Sequence, residues 1–187
     1  MKLIQTLLGG SLTVLLASTA VADEITDTLQ SAMTAYEDGD VTYAIEELNY
    51  AKQLLQEMQT GALAGFLPEA PEGWTAEEDT DASAGYAMMG GGTVTAKRYS
   101  NDAGEEITLT ILVDSPMIAM MGGMIQNAGN MGMKTVRVGR EKFLDNEGDL
   151  SALIEGRILV QATGEPREVV LPLLEAIDYR ALGRFGY

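Results

Sequence analysis

The apolar residues of this chain switch between two periods, and that switching confines it to a mixed fold. Toward the N-terminus they recur every three to four positions, the spacing of one helix face. From residue 82 onward most of them alternate, the spacing of a strand. The clearest strand covers residues 106–113, where Ile107, Leu109, Ile111 and Val113 share one face. Residues 93–99 alternate with β-branched members, and residues 100–104 supply the turn between the two. Ala84, Tyr86 and Met88 also alternate, ahead of Gly90-Gly91-Gly92. They are read as a further strand followed by a flexible hairpin turn. Residues 135–138, 142–144, 150–154 and 157–162 bring the expectation to about five to seven strands. Glu165-Pro166 opens a last helix with Val169, Val170, Leu173, Leu174, Ile177 and Leu182 on its apolar stripe. Pro172 kinks that helix or marks a later start.

Two helices precede the strands. Ile25, Leu29, Ala32 and Tyr36 form one stripe, and Val41, Ala44, Ile45, Leu48, Ala51, Leu55 and Met58 form another. Gly39 is placed as the stop between them, Asp40 as the second helix's cap and Gly61 as its end. The expected class is α+β: an N-terminal antiparallel helical hairpin, then a mainly antiparallel sheet with a Met-rich helix and a C-terminal helix. The short turns favour helices covering one face of that sheet.

Residues 1–22 read as a secretory signal peptide. Lys2 precedes an apolar stretch, and Ala20-Val21-Ala22 fits the small-residue cleavage rule before Asp23. The stretch is interrupted by Gln5, Gly9, Gly10 and Ser11 and falls short of the roughly 20 residues that a membrane span needs. The expected address is the periplasm or the cell exterior, with no membrane span after cleavage. The expected organisation is then an acidic helical hairpin at 23–65, a connector at 66–81 containing two prolines and Trp74, and an α+β sheet domain at 82–187. Trp74 is read as a plug at the edge of the core.

The net charge is −16, from 12 basic and 28 acidic residues. Residues 23–81 hold 15 acids and one base, Lys52, whereas residues 82–187 hold 13 acids and 10 bases. Such acidity opposes binding to nucleic acid or to an anionic membrane. The acidic front third is either a solvated face or a docking surface for a basic partner. The chain has no Cys and no His, so disulfides, thiolate nucleophiles, Cys-bound zinc, imidazole acid–base chemistry and the Ser-His-Asp triad are all excluded.

Six of the 11 methionines fall within residues 117–133: Met117, Met120, Met121, Met124, Met131 and Met133. Met88 and Met89 lie in the expected first strand and its turn. Met117, Met120, Met121 and Met124 recur at i, i+3, i+4 and i+7, so one helix face presents four thioethers, with Ser115 as cap and Pro116 at the first helical position. Three readings stay open. The stripe is core filling by an adaptable side chain, a soft apolar surface for a protein partner or apolar ligand, or a Cu(I) or Ag(I) site built from Met117, Met120, Met121 and Met124.

Other patterns fail on spacing. Asp145-Asn146-Glu147-Gly148-Asp149 has its glycine at the wrong place for a calcium loop. Gly90-Gly91-Gly92 precedes a strand and lacks the phosphate-loop lysine. Hydrolase chemistry on a carboxylate pair is the least supported alternative, because nothing singles out a pair among 28 acids.

The segment from Ala35 to Asp40, with Ala44 beyond it, resembles the turn of a tetratricopeptide-type helix pair in a single copy. Residues 35–51, 66–74 and 90–93 together resemble uncharacterised secreted bacterial proteins, a resemblance that implies no activity. The later half is similar to the α/β sandwich of PsbP-like domains, an analogy of fold alone. The expectation is a non-enzymatic binding or adaptor protein that uses Met88, Met89 and the Met-rich segment.

Overall fold

The computed structural model describes residues 15–128 and 130–186, with residues 15–22, 87, 89 and 90 described by backbone alone. Most of the signal-peptide reading lies outside the described residues. The chain divides into two compact units, Met1–Glu57 and Met58–Tyr187.

The first unit is a helical hairpin of α1 (Leu15–Glu37) and the greater part of α2 (Val41–Ala64). Gly39 takes φ +84° in the turn, and the Asp40 Oδ1 accepts a hydrogen bond from the Tyr43 amide at 3.0 Å, capping α2 as expected. The two helices meet through Ile25, Ala32, Ala35, Ala44, Ala51 and Leu54, which are all buried. Four of these six positions are alanine, so the buried seam is lined mainly by small side chains. The predicted stripes are therefore rotated: Leu29, Tyr36, Val41, Ile45, Leu48 and Leu55 are exposed. Gly61 does not end α2, which continues to Ala64.

The second unit is built on one seven-stranded antiparallel sheet in the order β1-β2-β3-β7-β6-β5-β4. Its strands are β1 (Trp74–Glu78), β2 (Thr93–Asn101), β3 (Glu106–Val113), β4 (Thr135–Val138), β5 (Glu141–Asn146), β6 (Asp149–Ile154) and β7 (Ile158–Gly164). The α+β class and the antiparallel sheet stand as read from the sequence.

Helices, however, cover both faces. Alternation sends Ile107, Leu109 and Ile111 of β3 and Ile158 and Val160 of β7 to one face. There they join Leu63 and Leu67, helix α5 (Arg167–Glu175) and helix α6 (Tyr179–Leu182). Leu112, Leu159 and Leu144 point the other way, onto α4 (Pro116–Asn127), with Tyr86 of α3 (Thr80–Gly90) packed alongside. Central strands buried on both faces leave few exposed alternate positions, so β3 is buried at six of its eight residues.

Three further expectations change. Residues 80–90 form helix α3, not a strand. Asp79 starts that helix: its Oδ1 accepts from the Ala82 amide at 2.9 Å, and its Oδ2 pairs with Arg98 at 2.6 Å. The hydrogen bond from Ala82, and then Arg98, hold the Asp79 carboxyl below its ordinary pKa. The glycine run consequently links a helix to β2 and is no hairpin turn. The missing strand is β1, found inside the connector, where Trp74 packs partly buried against the larger core cluster as expected. Pro172 lies within α5 without ending it. The break comes later, where the Asp178 Oδ1 accepts from the Ala181 amide at 2.9 Å and starts the separate α6.

Candidate functional site

Helix α4 begins as its sequence requires. Ser115 is the N-cap, its hydroxyl oxygen accepting from the Met117 amide at 3.3 Å, and Pro116 occupies the first turn. The face it buries is not the methionine stripe. Ile118, Gly122 and Ile125 point into the sheet, with Ala128 beyond them. Gly122 has a packing role: a Cβ there would lie 3.1 Å from the Leu153 Cδ2, so its absence lets α4 settle onto β6.

The methionines divide accordingly. Met117 and Met121 lie half-buried at the core margin, and Met133 joins them from the segment after the helix. Met120 is 84% exposed, Met124 39% and Met131 62%. On α3, Met88 is 90% exposed, and the side chain of Met89 lies outside the described residues. The described methionines thus differ widely in exposure, and the four of the proposed helical metal set divide into half-buried Met117 and Met121 and exposed Met120 and Met124.

Three of them do converge. Met121, Met124 and Met133 line one cleft of about 680 Å³ between α4 and the β5–β6 hairpin. The opposite wall is polar. Its turn is Glu147-Gly148, both at positive φ (55° and 109°), between the paired residues Asn146 and Asp149, the two-residue geometry of a tight hairpin. Beside it, the Tyr86 hydroxyl donates to the Oε1 of the lining residue Gln161 at 2.7 Å, and the Gln161 Nε2 donates to the Ser151 Oγ at 3.3 Å. Burial, and then Asp149, push the Tyr86 phenol above its ordinary pKa.

Asp145 anchors this wall. Its side chain is 1% exposed, and its Oδ2 lies 2.9 Å from both the Lys134 Nζ and the Arg167 Nη2. The contact of Oδ2 with these cations is one of charge, without aligned hydrogen-bond geometry. The Oδ1 accepts from the Gly148 amide at 3.1 Å and so also holds the turn. Lys134 first, then Arg167 and Gly148, outweigh burial and lower the Asp145 pKa from 3.8 to about 2.

A carboxylate lowered in the folded state stabilises the fold above its unfolded pKa. That contribution disappears as the pH falls from about 4 to about 2. Asp145→Asn is therefore expected to reduce the melting temperature at pH 6 and to match wild type near pH 2. Thermal melts across that range check this. A gap that stays constant with pH would mean that the charge is not what stabilises the turn.

The sequence singled out residues 145–149 only as a failed calcium pattern. Among the described residues, no three His, Cys, Asp or Glu side chains group to hold a metal ion. Lys134, Ser151 and Gln161 carried no local signal, since their common place follows from the pairing of β4 with β5, beside which Lys134 lies, and of β5, β6 and β7. The described residues also contain no helix long and apolar enough to cross a membrane. What fold and site define is an α+β protein with a cleft, lined by three thioethers and a larger polar set, at one end of an antiparallel sheet. No family model, curated protein or solved structure matches the chain.

Proposed function

We propose that this is a non-enzymatic binding protein whose site is the cleft between α4 and the β5–β6 hairpin. Its ligand is a small molecule with an apolar body and a polar end that is not anionic, because Asp145, Glu147 and Asp149 line the cleft against one cation, Lys134. The observation that carries this reading is the convergence of Met121, Met124 and Met133 opposite Lys134, Ser151 and Gln161. Thioethers on flexible stems adapt to an apolar shape, while a few placed polar groups orient the other end. The volume of about 680 Å³ lies within the usual range for small-molecule sites. The secreted or periplasmic address belongs to the same proposal and rests on residues 1–22.

Hydrolysis has less support. A general acid needs a raised carboxyl pKa, whereas the buried Asp79 and Asp145 are both lowered by their partners. They serve the turn and the helix start.

A second reading rests on the same three thioethers, which are soft ligands suited to Cu(I) or Ag(I). One substitution set separates the two. Met121→Leu, Met124→Leu and Met133→Leu together keep volume and hydrophobicity but remove sulfur. We expect the neutral probe N-phenylnaphthylamine to bind this triple variant as it binds wild type, and Met124→Gln with Met133→Gln to weaken it about tenfold. Unchanged affinity in the glutamine variant would remove the cleft as the site. An anaerobic Cu(I) titration that is stoichiometric in wild type and lost in the leucine variant would establish the metal reading instead.

A further inference from the structure

We infer that the helical hairpin carries a docking groove for a basic amphipathic helix of a partner protein, independent of the cleft and sharing no residue with it. Leu29, Met33 and Tyr36 on α1 and Val41, Ile45 and Leu48 on α2 are 40–71% exposed. Each set is spaced i, i+4, i+7, so two apolar ridges run along the two helices. Between them lies a groove of about 470 Å³ floored by the buried Ala32 and Ala44. The small alanine side chains form the floor, while the large residues stand at the sides. This is the shape that accepts a third helix through its own i, i+3/i+4, i+7 anchors. Six large apolar side chains in one contiguous patch go beyond the scattered exposure ordinary for a surface.

Charge chooses the occupant. Residues 23–57 carry nine acidic residues and one basic residue. Glu37, Asp38 and Asp40 are exposed in the turn that closes one end of the groove. A second copy of the hairpin would bring the same negative field, and an anionic membrane is repelled. An apolar helix face flanked by Lys or Arg is attracted from a distance and then buries the ridges.

The test uses the full chain and an 18-residue Leu/Lys peptide with Leu at helical spacing. Its controls are a scrambled peptide of the same composition and an analogue with Glu for Lys. The ordered Lys peptide is expected to bind at least about tenfold tighter than either control, and Met33→Gln with Ile45→Gln to weaken it about tenfold. Both substituted positions are exposed, and an unchanged far-UV circular dichroism spectrum verifies the variant's fold. Equal binding of the scrambled peptide would reduce the effect to charge and overturn the groove. Equal binding of the Glu analogue would overturn the basic partner. An affinity unchanged in the glutamine variant would overturn the site. Dimers in sedimentation velocity that the variant dissociates would make a second copy the occupant, and co-flotation of the protein with zwitterionic vesicles that the glutamine variant loses would make it a lipid surface.

Discussion

Phe143→Ala is expected to cost about 4 kcal/mol of stability and to lower the melting temperature by about 10 °C. Phe143 is completely buried in the larger core cluster, and its ring meets Tyr179 edge-on with centroids 6.2 Å apart. Tyr179 is held in turn by its hydroxyl, which donates to the Leu174 carbonyl at 2.7 Å, and burial pushes its phenol pKa up. Removing the Phe143 ring opens a cavity where β5 meets the C-terminal helices. The next two residues of the strand, Leu144 and Asp145, line the cleft, so weaker binding of the neutral naphthylamine probe by the folded protein should accompany the lost stability. Urea denaturation checks the first expectation. A loss below about 1 kcal/mol would mean that the cavity collapses, and with it the argument that β5 is fixed from behind.

Gly164→Ala is expected to destabilise by about 3 kcal/mol or more, through backbone conformation and steric overlap together. Gly164 ends β7 at φ +99° and pairs with Ile107 at the start of β3. A Cβ at this position would overlap the Glu106 carbonyl oxygen, a backbone atom that cannot turn aside. β3 and β7 form the middle of the sheet, so the strain falls on the pairing that joins its two halves. Gly123→Ala is the control. It is exposed on α4 with nothing within 4 Å of its Cβ position, and alanine there should stabilise the helix by up to about 1 kcal/mol. Similar losses at both positions would remove the steric explanation.

Local chemistry was legible wherever a short pattern had one physical solution. The Ser115-Pro116 start of α4, the Gly39-Asp40 turn and the alternation of β3 all appear at the expected residues. Helix α3 was missed because its apolar residues form no clear stripe and Ala84, Tyr86 and Met88 mimic alternation. The available signal was Asp79 ahead of Thr80, a side chain able to cap. β1 was missed because a five-residue edge strand with exposed Thr75, Glu77 and Glu78 has little apolar pattern to show.

The larger revisions share one cause. Periodicity states which residues of a helix lie on one side; it does not state how closely the neighbour approaches or which angle of that side it covers. On α4 the buried arc is centred on Ile118, Gly122 and Ile125 because Gly122 admits Leu153, and this turns the methionines to the margin. In the hairpin, alanines hold most of the buried positions and larger side chains such as Tyr36, Ile45 and Leu48 stay exposed. Asp145, Lys134, Ser151 and Gln161 meet because antiparallel pairing brings distant residues to one end of the sheet. Element types, the acidic front third and the absence of cysteine and histidine chemistry follow from residue identity and short-range spacing. The cleft and the groove follow from distances between elements, which depend on how side-chain volumes fit across an interface and are not encoded in either partner alone.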